Sequence, residues 1–262
     1  MTDRTHYTRE PAPWVGAASD IGCRHHVNQD ALSLAVRSGG SERTAVVAVS
    51  DGVSTSTGSE MAALVAAQTA VDRVVSHIDA PNESIHAALT DAFALAHQAV
   101  LEAASEGSEP AACTLICAVV RSDKIWVANI GDTRAYWLGD DGQAQLLSID
   151  DSMAQARIQL GVPREDAERS ANAHAITKWL GRGATDVTPS VQMMIPEGNG
   201  WLLACSDGLW NYASGPDEMR DLLGSQLSHT HQPVAIAERL VEWAKQAGGK
   251  DNITVALVRH ER

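Results

Sequence analysis

Positive charge is in short supply in this chain. Lysine and arginine total 20 against 33 aspartates and glutamates among 262 residues, a formal charge of −13. Duplex nucleic-acid binders draw most of their affinity from phosphate contacts to a basic face, so no nucleic-acid partner is expected. Binding to an anionic membrane surface is disfavoured for the same reason. Long apolar runs are missing too. The longest nearly apolar stretch, 111–120, falls far short of the roughly 20 residues a membrane span requires, and the opening MTDRTHYTREPAPW holds no apolar segment that could act as a signal peptide. The four cysteines, Cys23, Cys113, Cys117 and Cys205, form no CxxC pair. Three lie in apolar, strand-like surroundings and read as buried reduced thiols, as expected of a cytoplasmic protein. There is no internal repeat and no low-complexity linker.

What is present is enough apolar material, 44% of residues, for a sizeable core. Residues 1–13 are polar, end in Pro-Ala-Pro and are expected to form a flexible arm; 14–262 read as one domain. The run TAVVAVS at 44–50 predicts a buried strand that ends at Asp51-Gly52. Helices are expected over 60–76, which lacks Gly and Pro, and over 83–104, where Ile85, Leu89, Phe93, Ala96 and Val100 recur at helical spacing. Strands are expected at 113–120, 124–129 and 134–138, and Asp141-Gly142 predicts a turn into 145–147. A polar, weakly periodic excursion fills 150–172. Further on come a strand at 201–205, a helix at 234–246 and a strand at 253–258. That order is not the regular alternation of a parallel doubly wound sheet and predicts an α+β layered fold with antiparallel sheets.

One pattern repeats. Asp51 follows VVAVS, Asp132 follows WVANIG, Asp207 follows WLLACS, and Asp251 precedes NITVALV. Each is a carboxylate at the edge of an apolar strand. Strand ends hold side chains rigidly, as a metal site requires, and carboxylate oxygens are the preferred ligands of hard cations. Asp-Gly is also a common hairpin signal, and Asp141-Gly142, inside a polar GDDGQ, fits that use. Asp51-Gly52 and Asp207-Gly208 differ: a Ser/Thr-rich loop follows the first and Leu-Trp-Asn-Tyr the second, with no returning strand after either.

Six segments in order over residues 14–260 resemble the metal-dependent serine/threonine phosphatases of type 2C, the PPM class. They are RHHVNQDA, VAVSDGVSTSTGSEMAA, ACTLICAVVRSDKIWVANIGDTRAYWL, LSIDDS, WLLACSDGLWN and GGKDNITVALV. The resemblance implies a four-layer α-β-β-α sandwich with two antiparallel sheets between helical pairs. It implies two Mg²⁺ or Mn²⁺ ions at one end, Asp51 bridging both, the Gly52 carbonyl on one, and Asp207 and Asp251 on the other. Asp132 would help hold a third, weaker ion, and Asp30 would act through water. The implied reaction is in-line attack on phosphoserine or phosphothreonine by a metal-bridging hydroxide, two cations offsetting the repulsion between nucleophile and phosphate. The partner would be a phosphorylated protein opposite a cytosolic kinase, as in bacterial members. No phosphotyrosine-phosphatase cysteine motif and no GxxxxGK[ST] loop is present, which fits that route.

Three departures stand out. Where the family has a phosphate-binding arginine, this chain has His25, with Arg24 one residue earlier; either, or His26, could take the role, arginine having the better fork for phosphate. Val53 stands where some members carry a histidine, so it cannot protonate a leaving group, and His25, His26 or a metal-bound water is left to do so. Ser54-Thr55-Ser56-Thr57 replaces the usual glycine pair; its hydroxyls are expected to cap the following helix, the other reading being that they line the substrate cleft. The 150–172 excursion corresponds to the family's variable flap and is expected to contribute substrate selection. Two other readings are a phosphatase-fold binding module without turnover and a phosphatase of a small molecule or a sigma-factor antagonist.

Overall fold

Runs such as TAVVAVS and LICAVV, rich in β-branched residues and free of Gly and Pro, suit strands buried on both faces. In the computed structural model, which describes residues 4–39, 42–53, 58–79, 81–103 and 111–262, they form two stacked sheets with antiparallel pairing throughout. The first sheet runs β1 (His6–Ala12), β2 (Val15–Asp20), β13 (Ile253–His260), β12 (Gly200–Cys205), β8 (Arg134–Gly139), β9 (Ala144–Leu146). The second runs β11 (Ser190–Met194), β7 (Ile125–Ile130), β6 (Leu115–Val120), β4 (Glu42–Ser50), β3 (Ala31–Gly39). A short pair, β5 (Ala112–Cys113) with β10 (Leu180–Gly181), stands apart.

Val47, Val49, Ile116, Trp137, Leu202 and Val258 fill the space between the sheets. Helices α1 (Ser59–Val75) and α2 (Asn82–Ala103) cover the second sheet, with Phe93, Leu89 and Ile85 buried against it. The buried face of α1 is mostly alanine, Ala62, Ala63, Ala66, Ala67 and Ala70, which lets its backbone approach its neighbours closely. Helices α6 (Pro216–Leu227) and α7 (Pro233–Gln246) cover the first sheet through Met219, Leu223, Ile236 and Leu240. The four layers expected from the resemblance are therefore present.

Some expectations need correction. Residues 6–12 are not a loose arm: they form β1, paired with β2 from His6↔Asp20 onward. Its polar sequence hides it, because an edge strand buries little; Pro11 falls where the register shifts, a place where a missing N–H is tolerated. The run 113–120 is broken at Thr114. The 150–172 excursion contains two short helices, α3 (Met153–Gln159) and α4 (Arg164–Glu168), on a small core of Ala154, Ala167 and Ala173. Residues 54–57 lie outside the described residues; the N-cap of α1 is Gly58, which has no side chain to cap with.

Close approach of β2 to α7 depends on Gly16. A Cβ there would lie 2.1 Å from the Val234 nitrogen and 2.5 Å from its Cα. Overpacking of this kind costs about 1–3 kcal/mol. Gly16→Ala should lower the thermal midpoint by roughly 4–8 °C for a loss of about 2 kcal/mol. Gly224→Ala, in α6 with nothing within 4 Å of the added carbon, should raise it slightly, since alanine is the better helix former. Thermal denaturation of both variants is the check; an unchanged midpoint for Gly16→Ala would contradict the packing.

Candidate active site

The alternation of antiparallel strands brings five aspartates to one end of the sandwich. Asp51 directly follows β4 and Asp30 precedes the paired β3, where Ala31 faces Ser50. Asp207 opens the short helix α5 (Asp207–Trp210) directly after β12, Asp251 lies just before β13, and Asp132 sits in the turn from β7 to β8. β8, β12 and β13 are neighbours, Cys205 facing both Arg134 and Val255.

Thr114, the residue that interrupts 113–120, holds Asp51. It donates its N–H to the Asp51 carbonyl at 2.8 Å and accepts the Asp51 N–H on Oγ1 at 3.1 Å. Gly52 follows in a tight cradle: a Cβ there would lie 2.7 Å from the carbonyl oxygens of Gln29 and Ser59. Asn252 ties the 21–29 loop to the start of β13. Its Oδ1 accepts the Gln29 N–H at 2.8 Å, and its Nδ2 donates to the Ile21 and Val27 carbonyls. Ser206 donates to Asp30 Oδ2 at 2.7 Å, and Asn211 donates to Asp207 Oδ2 at 3.0 Å.

Burial and mutual repulsion dominate the electrostatics. Burial, with a smaller part from Asp251, raises Asp30 to about 6. Burial and then Asp150 raise Asp132 to about 7. Burial, then Asp30, Asp207, Asp132 and Asp251, pushes Asp51 well above the carboxylate range; burial, then Asp132, Asp251 and Asp30, does the same to Asp207. Two oxygens, Asp30 Oδ1 and Asp207 Oδ1, are buried with no hydrogen-bond partner among the described residues. Among those residues no three His, Cys, Asp or Glu groups close on one point as a finished ligand set. Like charges this close repel, and a bound cation would offset that repulsion. Orphaned buried oxygens, a cradle that admits only glycine, and an all-oxygen donor set fit hard divalent ions.

Arg24, His25 and His26 separate clearly. His25 turns inward, its Nε2 3.2 Å from Asp251 Oδ1, while Arg24 and His26 are exposed. Beside Asp132, Arg134 is buried. It grips Asp150 through Nε and Nη2 and stacks on Trp210 at 3.7 Å, and Trp210 donates its indole N–H to the Asp132 carbonyl at 2.8 Å. Thr114, Asn252, Asn211 and Ser206 are not singled out by sequence; Asn252 and Asn211 are polar residues within four positions of an aspartate, the one signal that could find them. A cleft of about 1090 Å³, lined by Trp14, Arg43, Trp201 and Arg259, lies at the opposite end of the sandwich. None of the five aspartates lines it.

Known proteins share this fold. Over 144 aligned residues the chain is 35% identical to the protein phosphatase PhpP of Streptococcus pneumoniae, covering 55% of each chain, so the chain spans about half the length of the curated relatives it matches. The fold superposes on the serine/threonine phosphatase of S. agalactiae with a TM-score of 0.77 at 23% identity, covering 97% of this chain and 100% of that one. It also superposes on the catalytic domain of the phosphatase PstP in complex with two manganese ions, with a TM-score of 0.70 at 23% identity, covering 98% and 100%. A family model described as protein phosphatase 2C matches residues 23–245, and on that match, over the fold and aspartate cluster just described, the chain belongs to the protein phosphatase 2C family.

Proposed function

We propose that this chain is a metal-dependent phosphatase of phosphoserine and phosphothreonine in proteins, acting in the cytoplasm opposite a serine/threonine kinase. The observation that carries this reading is the convergence of five aspartates, two with buried, unpartnered oxygens, on one end of the sandwich. A protein that only bound a partner would have no use for so much unpaired buried charge.

Asp51, the Gly52 carbonyl, Asp207 and Asp251 would hold two Mg²⁺ or Mn²⁺ ions; Asp132 would hold a third, weaker one, and Asp30 would act through water. Such ions supply neutralisation of the phosphate dianion and acidify water toward neutral pH. Asp30, fixed by Ser206, would orient a water bound to such an ion. Asn211 orients Asp207 through one oxygen, and its second, unpartnered oxygen would be available to hold a cation. His25, against Asp251, takes the phosphate-binding position in preference to Arg24, which faces solvent. Its ring can also carry a proton to the leaving serine or threonine oxygen, as Val53 cannot.

Hydrolysis of p-nitrophenyl phosphate should require Mn²⁺ or Mg²⁺, be abolished by EDTA, and fall by at least about 100-fold, roughly 2.7 kcal/mol, in Asp207→Asn. Turnover in EDTA would contradict the metal route, and an active Asp207→Asn would contradict the assignment of that ligand. His25→Ala should raise KM for the same ester about tenfold, the loss of one charge-assisted hydrogen bond, while Arg24→Ala leaves KM unchanged; the opposite ranking would move the role to Arg24.

Stability should respond to pH in a direction fixed by the raised carboxyls. A carboxyl whose folded pKa exceeds its unfolded value near 4 contributes its full stabilisation below that value and loses it as pH rises through the folded pKa. For Asp30 and Asp132 the loss spans about 4 to 6 and about 4 to 7. In EDTA the thermal midpoint should therefore fall between pH 5 and pH 8, and saturating Mn²⁺ should remove most of the fall. A midpoint that climbs over that range in EDTA would show the aspartates to be unstrained.

A further inference from the structure

The segment 153–175 cannot hold itself in place. Its own core is three alanines, Ala154, Ala167 and Ala173, with Ile158 and Val162 alongside. At about 25 cal/mol per Å² such small side chains stabilise little. Its base is pinned by backbone bonds: Met153 N–H to the Ala175 carbonyl, Ala154 N–H to the Ala173 carbonyl, and Asp151 N–H to the Gly131 carbonyl. Among the described residues, its far part is hydrogen-bonded to the rest of the domain through the side chain of Glu168. Glu168, at the end of α4, accepts from Arg134 Nη2 at 2.9 Å, from Ser214 Oγ at 2.7 and 2.8 Å, and from Arg164 Nη1 at 2.8 Å. Burial would raise its pKa, but Ser214, Arg134 and Arg164 outweigh burial and keep the carboxyl below its usual range.

What Glu168 grips leads back to the aspartates. Arg134 lies two residues after Asp132, at the start of β8, with its side chain 1% exposed. Its guanidinium stacks on Trp210 at 3.7 Å, and that indole donates to the Asp132 carbonyl at 2.8 Å. His174, from the same segment, packs on Trp210 with ring centroids 5.7 Å apart. Two contacts of the 153–175 segment thus end on the groups that fix the Asp132 backbone. Asp150 neutralises Arg134 independently, through both carboxylate oxygens.

We propose that Glu168 is a positioning residue that latches the 153–175 segment onto Arg134 and, through Trp210, couples the docking of that segment to the placement of Asp132. The inference rests on the proposed function, in which Asp132 serves a weaker cation site. A docked segment and a loaded weak site then stabilise each other, and the coupling is reciprocal. A substrate that lifts the segment loosens the weak ion, and loss of that ion loosens the segment.

Glu168→Ala tests this without unfolding the core, because Arg134 keeps Asp150; Glu168→Gln retains one acceptor and should give an intermediate effect. Two readouts apply to the full chain: hydrogen exchange of the amides in 153–175, and a Mn²⁺ titration followed by the electron paramagnetic resonance signal of the free ion. In Glu168→Ala, exchange across 153–175 should speed at least about tenfold, and the weak Mn²⁺ phase should weaken about fivefold while the tight phase is unchanged. That pattern, graded through Glu168→Gln, supports the proposal. Unchanged exchange overturns the latch. Faster exchange with an unaltered weak phase, or no weak phase in the unsubstituted chain, overturns the coupling. If the unsubstituted chain binds Mn²⁺ yet hydrolyses no p-nitrophenyl phosphate, the phosphatase reading fails while exchange still decides the latch.

Discussion

Repulsion among buried aspartates is the constraint on which this molecule depends. Asp51, Asp207, Asp132 and Asp30 are all raised in pKa by burial, and each feels at least one other carboxylate of the group. No fold would gather such charge for stability alone, because each buried carboxylate without a partner costs several kcal/mol. The surrounding structure is built to hold the charges in place despite that cost. Strand ends carry Asp51 and Asp132, the first turn of α5 carries Asp207, and the polar residues Thr114, Asn252, Ser206 and Asn211 fix the backbones and oxygens between them.

The rest of the fold supplies rigidity at that end. Two sheets, packed through valines, leucines and isoleucines, give the aspartates a base that cannot yield easily. Alanine on α1 and glycine at position 16 let the outer helices approach closely, which tightens both outer layers. Where the inner packing stops, polar networks take over. Arg134 is the clearest case: one buried guanidinium joins Asp150, Glu168, Ser214 and the Trp210 ring, and so links the short helices at 153–168 to the turn that holds Asp132.

The parts of this design that are local in sequence are legible there. An aspartate at the end of an apolar run declares itself through the run, so Asp51, Asp132, Asp207 and Asp251 stand out from the residue order alone. Most of the inner strands and the long helices stand out for the same reason. What stays hidden depends on distant partners. β1 is polar because it lies at an edge and is held by pairing to β2, which no window of ten residues reveals. His25 and Arg24 are indistinguishable as neighbours in sequence; only the path of the 21–29 loop, tied by Asn252, turns one inward and leaves the other in solvent. Glu168 looks like one acid among several in a charged excursion, and its three donors come from 134, 164 and 214.

The central claim is that divalent cations compensate the aspartate cluster at this end of the sandwich and nowhere else. Anomalous diffraction at the manganese edge, from crystals equilibrated with MnCl₂, tests it most directly. The account predicts two strong peaks enclosed by Asp51, Asp207, Asp251 and the Gly52 carbonyl, with any weaker third peak beside Asp132. Strong peaks elsewhere with none among these aspartates, or an unliganded cluster in the presence of saturating manganese, would contradict it.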